Sequence, residues 1–378
     1  MNAVTKKRIV SFSSDALATA AVFIAFLCIF LRAKNLFRMN LDSVNLLAAR
    51  SIFSRSRFNF FSDIKNILVY GEKNNMQEQT GNANTEGKNN GLFIKPGNIN
   101  LPDFSKENPE YHPPGEPTHK IIESQFSSSG TKFENFYIKN TTNQNINIGS
   151  ELNKKPEINI TKTNKPQVLI FHTHTSESYM NEDQGFFYES FYPRSLDSSK
   201  NITRVGKVIG DKLNENGITT IHDETYHDTP TYNGSYSRAA ATIKKNLEKY
   251  PSIQVVIDIH RDSLGSKETG KIKPTFKYKD KKSAQLMIVS GCDPDNSLGF
   301  PNWEKNLRLA LRVQKYCETM FPGLTRPLSF SKVKYNEHIT PGSLLIEVGS
   351  DVNTLEEAIN TGSMLGEALS KLLNDLKK

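Results

Sequence analysis

The chain has 378 residues, of which 37% are hydrophobic, and it carries a formal net charge of +8. That hydrophobic share is low for a chain folded throughout, and the shortfall falls in one central region. The basic balance suits an anionic partner such as a membrane surface or a charged wall polymer. No helix-turn-helix signature, aromatic RNA-binding motif or Cys/His finger accompanies it, which argues against nucleic acid.

Lys6, Lys7 and Arg8 precede a nearly unbroken apolar run from Ala16 to Leu31. As a helix this run is roughly 24 Å long, against a hydrocarbon layer of ~30 Å, and the mixed segment Ile9 to Ser14 can extend it. A signal peptide needs a small-x-small cleavage site, which Arg32-Ala33-Lys34-Asn35 does not offer. A buried core helix would show an amphipathic period, and none is visible. The expectation is a short cytoplasmic tail over residues 1–14 and a single-pass anchor over 15–32, with the bulk of the chain on the extracytoplasmic side of the cell membrane. Arg32, Lys34 and Arg38 balance the N-terminal basic cluster, so charge alone does not set this orientation.

Residues 33–160 read as a largely disordered linker. From about Asp63 to Lys165 the chain is rich in Asn, Lys, Thr and Gly, with Pro113, Pro114 and Pro117 in between. Too few apolar residues are present there to offset the entropy of ordering. His112 and His119 fall inside this stretch and are not expected to bind metal.

A globular domain is expected over 161–378. Val168 to Phe171 is a short, continuous apolar run, the mark of a strand buried on both faces. Val205, Val208, Ile209 and Leu213 follow helical spacing up to Gly217, and Ile218 to Ile221 suits a strand. Tyr236, Ala240, Ile243 and Leu247 form a second helical stripe, ended by Pro251. Val255 to Ile259 and Leu286 to Val289 read as strands, Asn302 to Phe321 as a long helix, and Leu344 to Ile346 as a strand. Thr354 and Glu357 make a capping box opening the last helix. Strands alternating with helices predict an α/β fold, a mostly parallel sheet flanked by helices, with chemistry at the carboxyl ends of its strands. Of the three cysteines, Cys28 lies in the apolar run, and Cys292 and Cys317 are expected to be buried small hydrophobes rather than a metal pair.

Three predicted strands open into residues suited to a metal site. VLIF runs into His172-Thr173-His174-Thr175-Ser176-Glu177, VVIDI into His260-Arg261-Asp262, and LLI into Glu347. Imidazoles with a carboxylate suit Zn²⁺, and a further carboxylate can then move the proton of a water. Taken singly, each piece has a plainer reading. His-x-His at a strand end arises by chance, His260-Arg261-Asp262 can be a charged strand cap, and Glu347 can pair with Arg326 or Lys332. A kinase catalytic loop is not supported, because the glycine-rich loop and strand lysine are missing. Three coincidences at equivalent positions favour a joint site. His222 and His227 read as rim residues, and His338 as a loop or substrate-contacting histidine. Asp258 shares strand parity with His260, and either orients it or forms a structural ion pair.

Four segments carry a resemblance: Val168 to Tyr179, Asn201 to Gly206, Val255 to Ser263 and Leu344 to Ala358. In them the chain resembles the stage II sporulation protein P family, whose C-terminal domain is grouped with the amidase-3 superfamily of zinc-dependent N-acetylmuramoyl-L-alanine amidases. The last segment resembles the amidase stretch with a catalytic glutamate, a glycine and an asparagine opening a helix, here Glu347, Gly349 and Asn353. The resemblance implies a Zn²⁺-dependent amide hydrolase acting on peptidoglycan between muramic acid and L-alanine, with Glu347 as general base and then acid. It further implies an endopeptidase activity on cross-links, a role in engulfment during sporulation, and stage II sporulation proteins D and M as partners. Amidases of this kind typically place one histidine after an Asp-Pro-Gly-like turn and a ligand glutamate further along. Here His172 and His174 stand together and Asn201 lies near the glutamate's place, so Glu177 is the expected carboxylate ligand. The metal set is then His172, His174, Glu177 and His260, with strand alignment favouring His174 and leaving His172 either on the metal or behind it. The alternatives are a wall-binding scaffold that has lost the chemistry, and a different metallohydrolase sharing the site.

Overall fold

The computed structural model describes residues 112–377. The expected tail and anchor, and the linker as far as residue 111, lie outside the described residues. Among the described residues no helix is long and apolar enough to cross a membrane.

The three strands predicted to be doubly buried lie side by side at the centre. β4 (Val168–Phe171) is buried at every position. β7 (Val255–Asp262) pairs with it in parallel, setting Phe171 opposite Asp258. β13 (Ser343–Ser350) pairs in parallel on the other side of β7, setting Glu347 opposite His260. With both faces covered, such strands need no polar alternation, which is why they read as unbroken apolar runs. Side chains still alternate between two helical layers. Leu169, Phe171 and Val256 face a cluster with Ala239 and Ile243, whereas Val168, Ile170, Val255, Ile257 and Ile259 face the main core.

The eight-stranded sheet runs β2-β3-β12-β11-β13-β7-β4-β6. Its remaining members are β2 (Thr131–Phe133), β3 (Phe136–Asn140), β6 (Thr220–His222), β11 (Leu286–Gly291) and β12 (Leu328–Ser331). It is mostly parallel, as expected, broken by antiparallel pairing of β11 with β13 and of β2 with β3. Helices α2 (Thr203–Glu215), α3 (Ser235–Lys249), α4 (Trp303–Met320) and α5 (Leu355–Asp375) fall close to the predicted stripes. The predicted capping box is present at Thr354 and Glu357. Helices α2 and α5 approach closely because Gly362 and Gly366 face Val205, Ile209 and Lys212; a Cβ at Gly366 would lie 2.6 Å from that of Lys212. Cys292 and Cys317 are free, buried thiols.

Two features depart from the sequence reading. Residues 112–160, expected to be linker, carry β1 (Thr118–Ser124), β2, β3 and a short α1 (Ile148–Asn153). Their apolar residues are few and come at most two or three together, as at Ile121-Ile122 and Phe136 to Ile138, too short a signal amid the polar residues. Phe136, Ile138, Ile148 and Ile160 are all buried. Strand β3 gains its stability by pairing with distant β12, which local composition cannot show. The second departure is a smaller sheet, β10-β9-β1-β5, built from β1, β5 (Phe186–Tyr188), β9 (Gly270–Tyr278) and β10 (Lys281–Ala284), with β8 (Gly265–Ser266) alongside. Strand β9, with its lysines and Pro274, carries no continuous apolar run. One of them, Lys273, is buried and held by Asp183 at 2.7 Å and Glu357 at 2.9 Å.

Candidate active site

The carboxyl ends of β4, β7 and β13 bring His174, Glu177, His260 and Glu347 into one buried cluster. The imidazoles of His174 and His260 have centroids 5.2 Å apart and cross at 89°. Glu177 Oε2 lies 3.7 Å from His260 Nδ1. Glu347 projects from the position opposite His260 on the neighbouring parallel strand.

Asp258 organises this corner. It accepts from the Thr173 backbone N–H at 2.8 Å and the Thr173 hydroxyl at 2.6 Å, fixing the turn that aims His174. Its Oδ1 also lies 2.9 Å from His260 Nε2. That approach is an ion pair by distance, but its angle falls short of a hydrogen bond, and Nε2 has no hydrogen-bond partner. His174 Nδ1 and Glu347 Oε2 are likewise buried without one. Buried polar atoms are rarely left so, and His174 Nδ1 and Glu347 Oε2 lying so in one cluster single it out as a candidate site.

Electrostatics separate the roles. Burial holds the His174 pKa well below the usual histidine value, helped by the charges of His260 and Arg194, so its ring is neutral. Burial alone would lower His260 too, but the carboxylates of Asp258, Glu177 and Glu347 overcome it and push His260 up to about 10. Burial and the nearby charge of Asp262 push Glu347 up to about 8, against the opposing pull of His260. A field that holds a proton on a buried imidazole also favours a bound dication.

His172 is not brought into this cluster. Its Nδ1 contacts the Ile259 carbonyl at 2.9 Å and its Nε2 contacts His222 Nε2 at 2.8 Å, so neither nitrogen is left for a metal. Gly206 on α2 makes room for that pair, since a Cβ there would fall 2.6 Å from His222 Nε2 and 2.7 Å from the His172 ring. In a continuing strand two residues apart would share a face, but β4 ends at Phe171 and the chain turns from Thr173, so the two rings separate.

The residues flanking the cluster are supports. The Arg261 backbone N–H donates to Glu177 Oε2 at 3.1 Å, and its guanidinium donates to the carbonyls of Ser178 and Pro193. Asp262 pairs with Arg326 at 2.9 Å and Lys332 with Asp295 at 2.7 Å, so neither cation is taken up by Glu347. After Glu347 the chain turns at Gly349, whose φ of 68° favours glycine. Asn353 closes the turn by accepting from the Ser350 N–H at 2.8 Å and donating to Glu357 at 2.9 Å, joining the strand end to the cap of α5. His227 is an anchor between the His172 carbonyl and Thr242, and His338 is an exposed residue of a single 3₁₀ turn (Glu337–Ile339) beside Phe300. His112 and His119 pair with Glu116 and Glu189.

Sequence reasoning missed Arg194, Asp228, Tyr232 and Tyr335, and saw Tyr236 only as one of a helical stripe. Asp228 is fully buried and accepts from Ser176 and, at 2.9 Å, from Arg194. It sits in the loop after β6, another strand carboxyl end, so the rule applied to the other three strands would have pointed there. Among the described residues, no three His, Cys, Asp or Glu side chains converge to hold a metal ion as they stand. The donors at hand nevertheless fit Zn²⁺ in kind: His174 with its unpartnered Nδ1, His260 with its Nδ1 turned toward Glu177 while Asp258 engages Nε2, and the Glu177 carboxylate.

The fold and site define an α/β domain with a histidine–carboxylate cluster at the rim of a mostly parallel sheet. The profile of the family described as Stage II sporulation protein P (SpoIIP) matches residues 97–370, and the chain belongs to that family. It is 30% identical over 230 residues to the stage II sporulation protein P of Bacillus subtilis (strain 168), an alignment covering 58% of this chain and 54% of that one. The chain thus spans about half the length of this relative. Among solved structures, the N-acetylmuramoyl-L-alanine amidase AmiC2 of Nostoc punctiforme overlaps 55% of this chain and 96% of its own, at 13% identity and a TM-score of 0.32. An N-acetylmuramoyl-L-alanine amidase from Clostridium difficile 630 overlaps 56% and 97%, at 15% identity and a TM-score of 0.33. Likeness at that level does not bear on activity.

Proposed function

We propose that the chain is a peptidoglycan hydrolase of sporulation that cleaves the amide between N-acetylmuramic acid and L-alanine with a bound Zn²⁺. The reading is carried by Glu347 standing opposite His260, beside His174 and Glu177, with His174 Nδ1 and Glu347 Oε2 buried and unpartnered. His174, Glu177 and His260 would hold the ion, which there would polarise the scissile carbonyl and acidify water. Glu347, in the carboxylate form that a bound dication would favour, can take a proton from the attacking water. It can then return that proton to the departing nitrogen of L-alanine. Asp258 keeps His260 and the His174 turn in place, and Arg261 keeps Glu177 in place. Cleavage of peptide cross-links at the same centre, attachment through residues 15–32 on the extracytoplasmic side, and work beside stage II sporulation proteins D and M belong to the same proposal. They rest on the N-terminal apolar run and the family resemblance.

A second reading, a wall-binding scaffold without chemistry, is favoured by one observation: the described side chains do not converge on a metal position. Digestion of purified peptidoglycan by the full chain, with Zn²⁺ and with chelator, separates the two by mass spectrometry. Zn²⁺-dependent release of peptides with a free L-alanine amino group is expected. Glu347→Gln is expected to lower the rate by about 10²–10⁴-fold while retaining the metal. Intact glycan-peptides together with a metal-free protein would leave the scaffold.

A further inference from the structure

The two imidazoles of the cluster are each matched by a tyrosine ring lying parallel to it. Tyr232 stacks on His174 with centroids 4.3 Å apart and planes 10° apart. Tyr236 lies 13° from the plane of His260 at 6.4 Å, and meets His174 edge-on at 85°. The crossing of the tyrosines about the start of α3 therefore reproduces the 89° crossing of the histidines.

Each tyrosine is itself backed. Arg194 covers the Tyr232 ring, its guanidinium carbon 5.0 Å from the centroid, and is held by Asp228 at 2.9 Å and the Ser176 hydroxyl at 3.1 Å. The loop carrying Tyr232 is tied to α3 by Arg238, which donates to the carbonyls of His227 and Asn233. Behind Tyr236 stacks Tyr335, 5.3 Å away and 26° from parallel. Tyr335 and Asn336 have φ of 39° and 62°, a region an aromatic side chain rarely adopts. Such backbone persists only where the surroundings enforce it.

We propose that Tyr232 and Tyr236 are positioning residues that set the planes of the His174 and His260 imidazoles, holding them crossed so that both can offer nitrogen to one cation. The inference rests on the metal reading above. A histidine's lone pair lies in its ring plane, so fixing the plane fixes the line along which an ion can be approached, while rotation about the two side-chain bonds would scatter it. Stacking restrains the plane without occupying a nitrogen, which a hydrogen bond to the free nitrogen of His174 would do. The flat ring is what matters, so phenylalanine is expected to serve in place of tyrosine.

The test compares the full chain with Tyr232→Ala, Tyr236→Ala and the two phenylalanine variants, after circular dichroism has shown equal folding. Zn²⁺ affinity is measured by competition with a chromophoric chelator, and site geometry by the visible spectrum of the Co²⁺ form. The alanine variants are expected to bind Zn²⁺ about 10–100-fold more weakly, with a shifted Co²⁺ spectrum, and the phenylalanine variants to stay near wild type. Unchanged affinity and spectrum in both alanine variants would overturn the inference. A wild-type chain that takes up no Zn²⁺ would instead defeat the metal reading. The metal-free chain labelled at histidine then decides by NMR: narrow imidazole signals are expected in wild type and the phenylalanine variants, and exchange-broadened ones in the alanine variants. Equal line widths throughout would refute the positioning role whatever the metal does.

Discussion

Glu337 and Glu347 are pushed in the same direction by burial but keep different company. Glu347 faces His260 and Glu177 across the site. Glu337 is buried, accepts from the Gly291 N–H at 3.0 Å, and has its pKa raised well above the usual carboxyl value by burial. The folded chain therefore holds a proton there that the unfolded chain would release. The stability this contributes is complete below the ordinary carboxyl pKa and is lost as pH rises through the raised folded value. Glu337→Gln keeps a neutral acceptor of the same shape. It is expected to gain on the order of 1–3 kcal/mol over wild type at pH 8 and little at pH 4, measured by urea unfolding at both pH values. Equal stabilities at pH 8 would show that the wild-type carboxyl is not held neutral. At this scale the sequence was a partial guide. It offered His172, His174, Glu177, His260 and Glu347 as one set, and only the packing of His172 against His222 and Gly206 separated it from the rest.

The cap of α5 shows how much an element can declare in its own sequence. Thr354 and Glu357 form the expected reciprocal pair because both partners lie within one helical turn. The same local logic located β4, β7 and β13, whose apolar runs need no knowledge of their neighbours. Helix α2 is a contrary case. Its stripe was legible, but not the reason Gly206 sits in it, which is the approach of two imidazoles from β4 and β6. Gly206→Ala would drive a methyl group into that pair. The expected cost is about 1–3 kcal/mol in chemical denaturation, less than expected only if both rings can swing aside. Strands β1 and β3 were illegible for the opposite reason. Each is short and half polar, and each is stabilised by a partner more than a hundred residues away.

The folded unit begins before residue 161, and that has a consequence for the whole molecule. Removing residues 112–160 would strip β3 from the edge beside β12 and take β1 from between β9 and β5, baring backbone along both sheets. A fragment of residues 161–378 is expected to aggregate or melt without cooperativity, whereas one of 97–378, which takes in the whole family match, should unfold in a single thermal transition. A soluble, cooperative 161–378 fragment would show that the N-terminal strands are dispensable. What the sequence determined by itself was whatever depends on near neighbours: the buried central strands, the amphipathic helices, the cap, and the chemistry-bearing residues at three strand ends. Tertiary structure alone decided the rest, namely the second sheet, the burial of Lys273, the exclusion of His172 from the cluster and the aromatic rings around it. Those depend on pairings between residues far apart in the chain, whose energies no local pattern records.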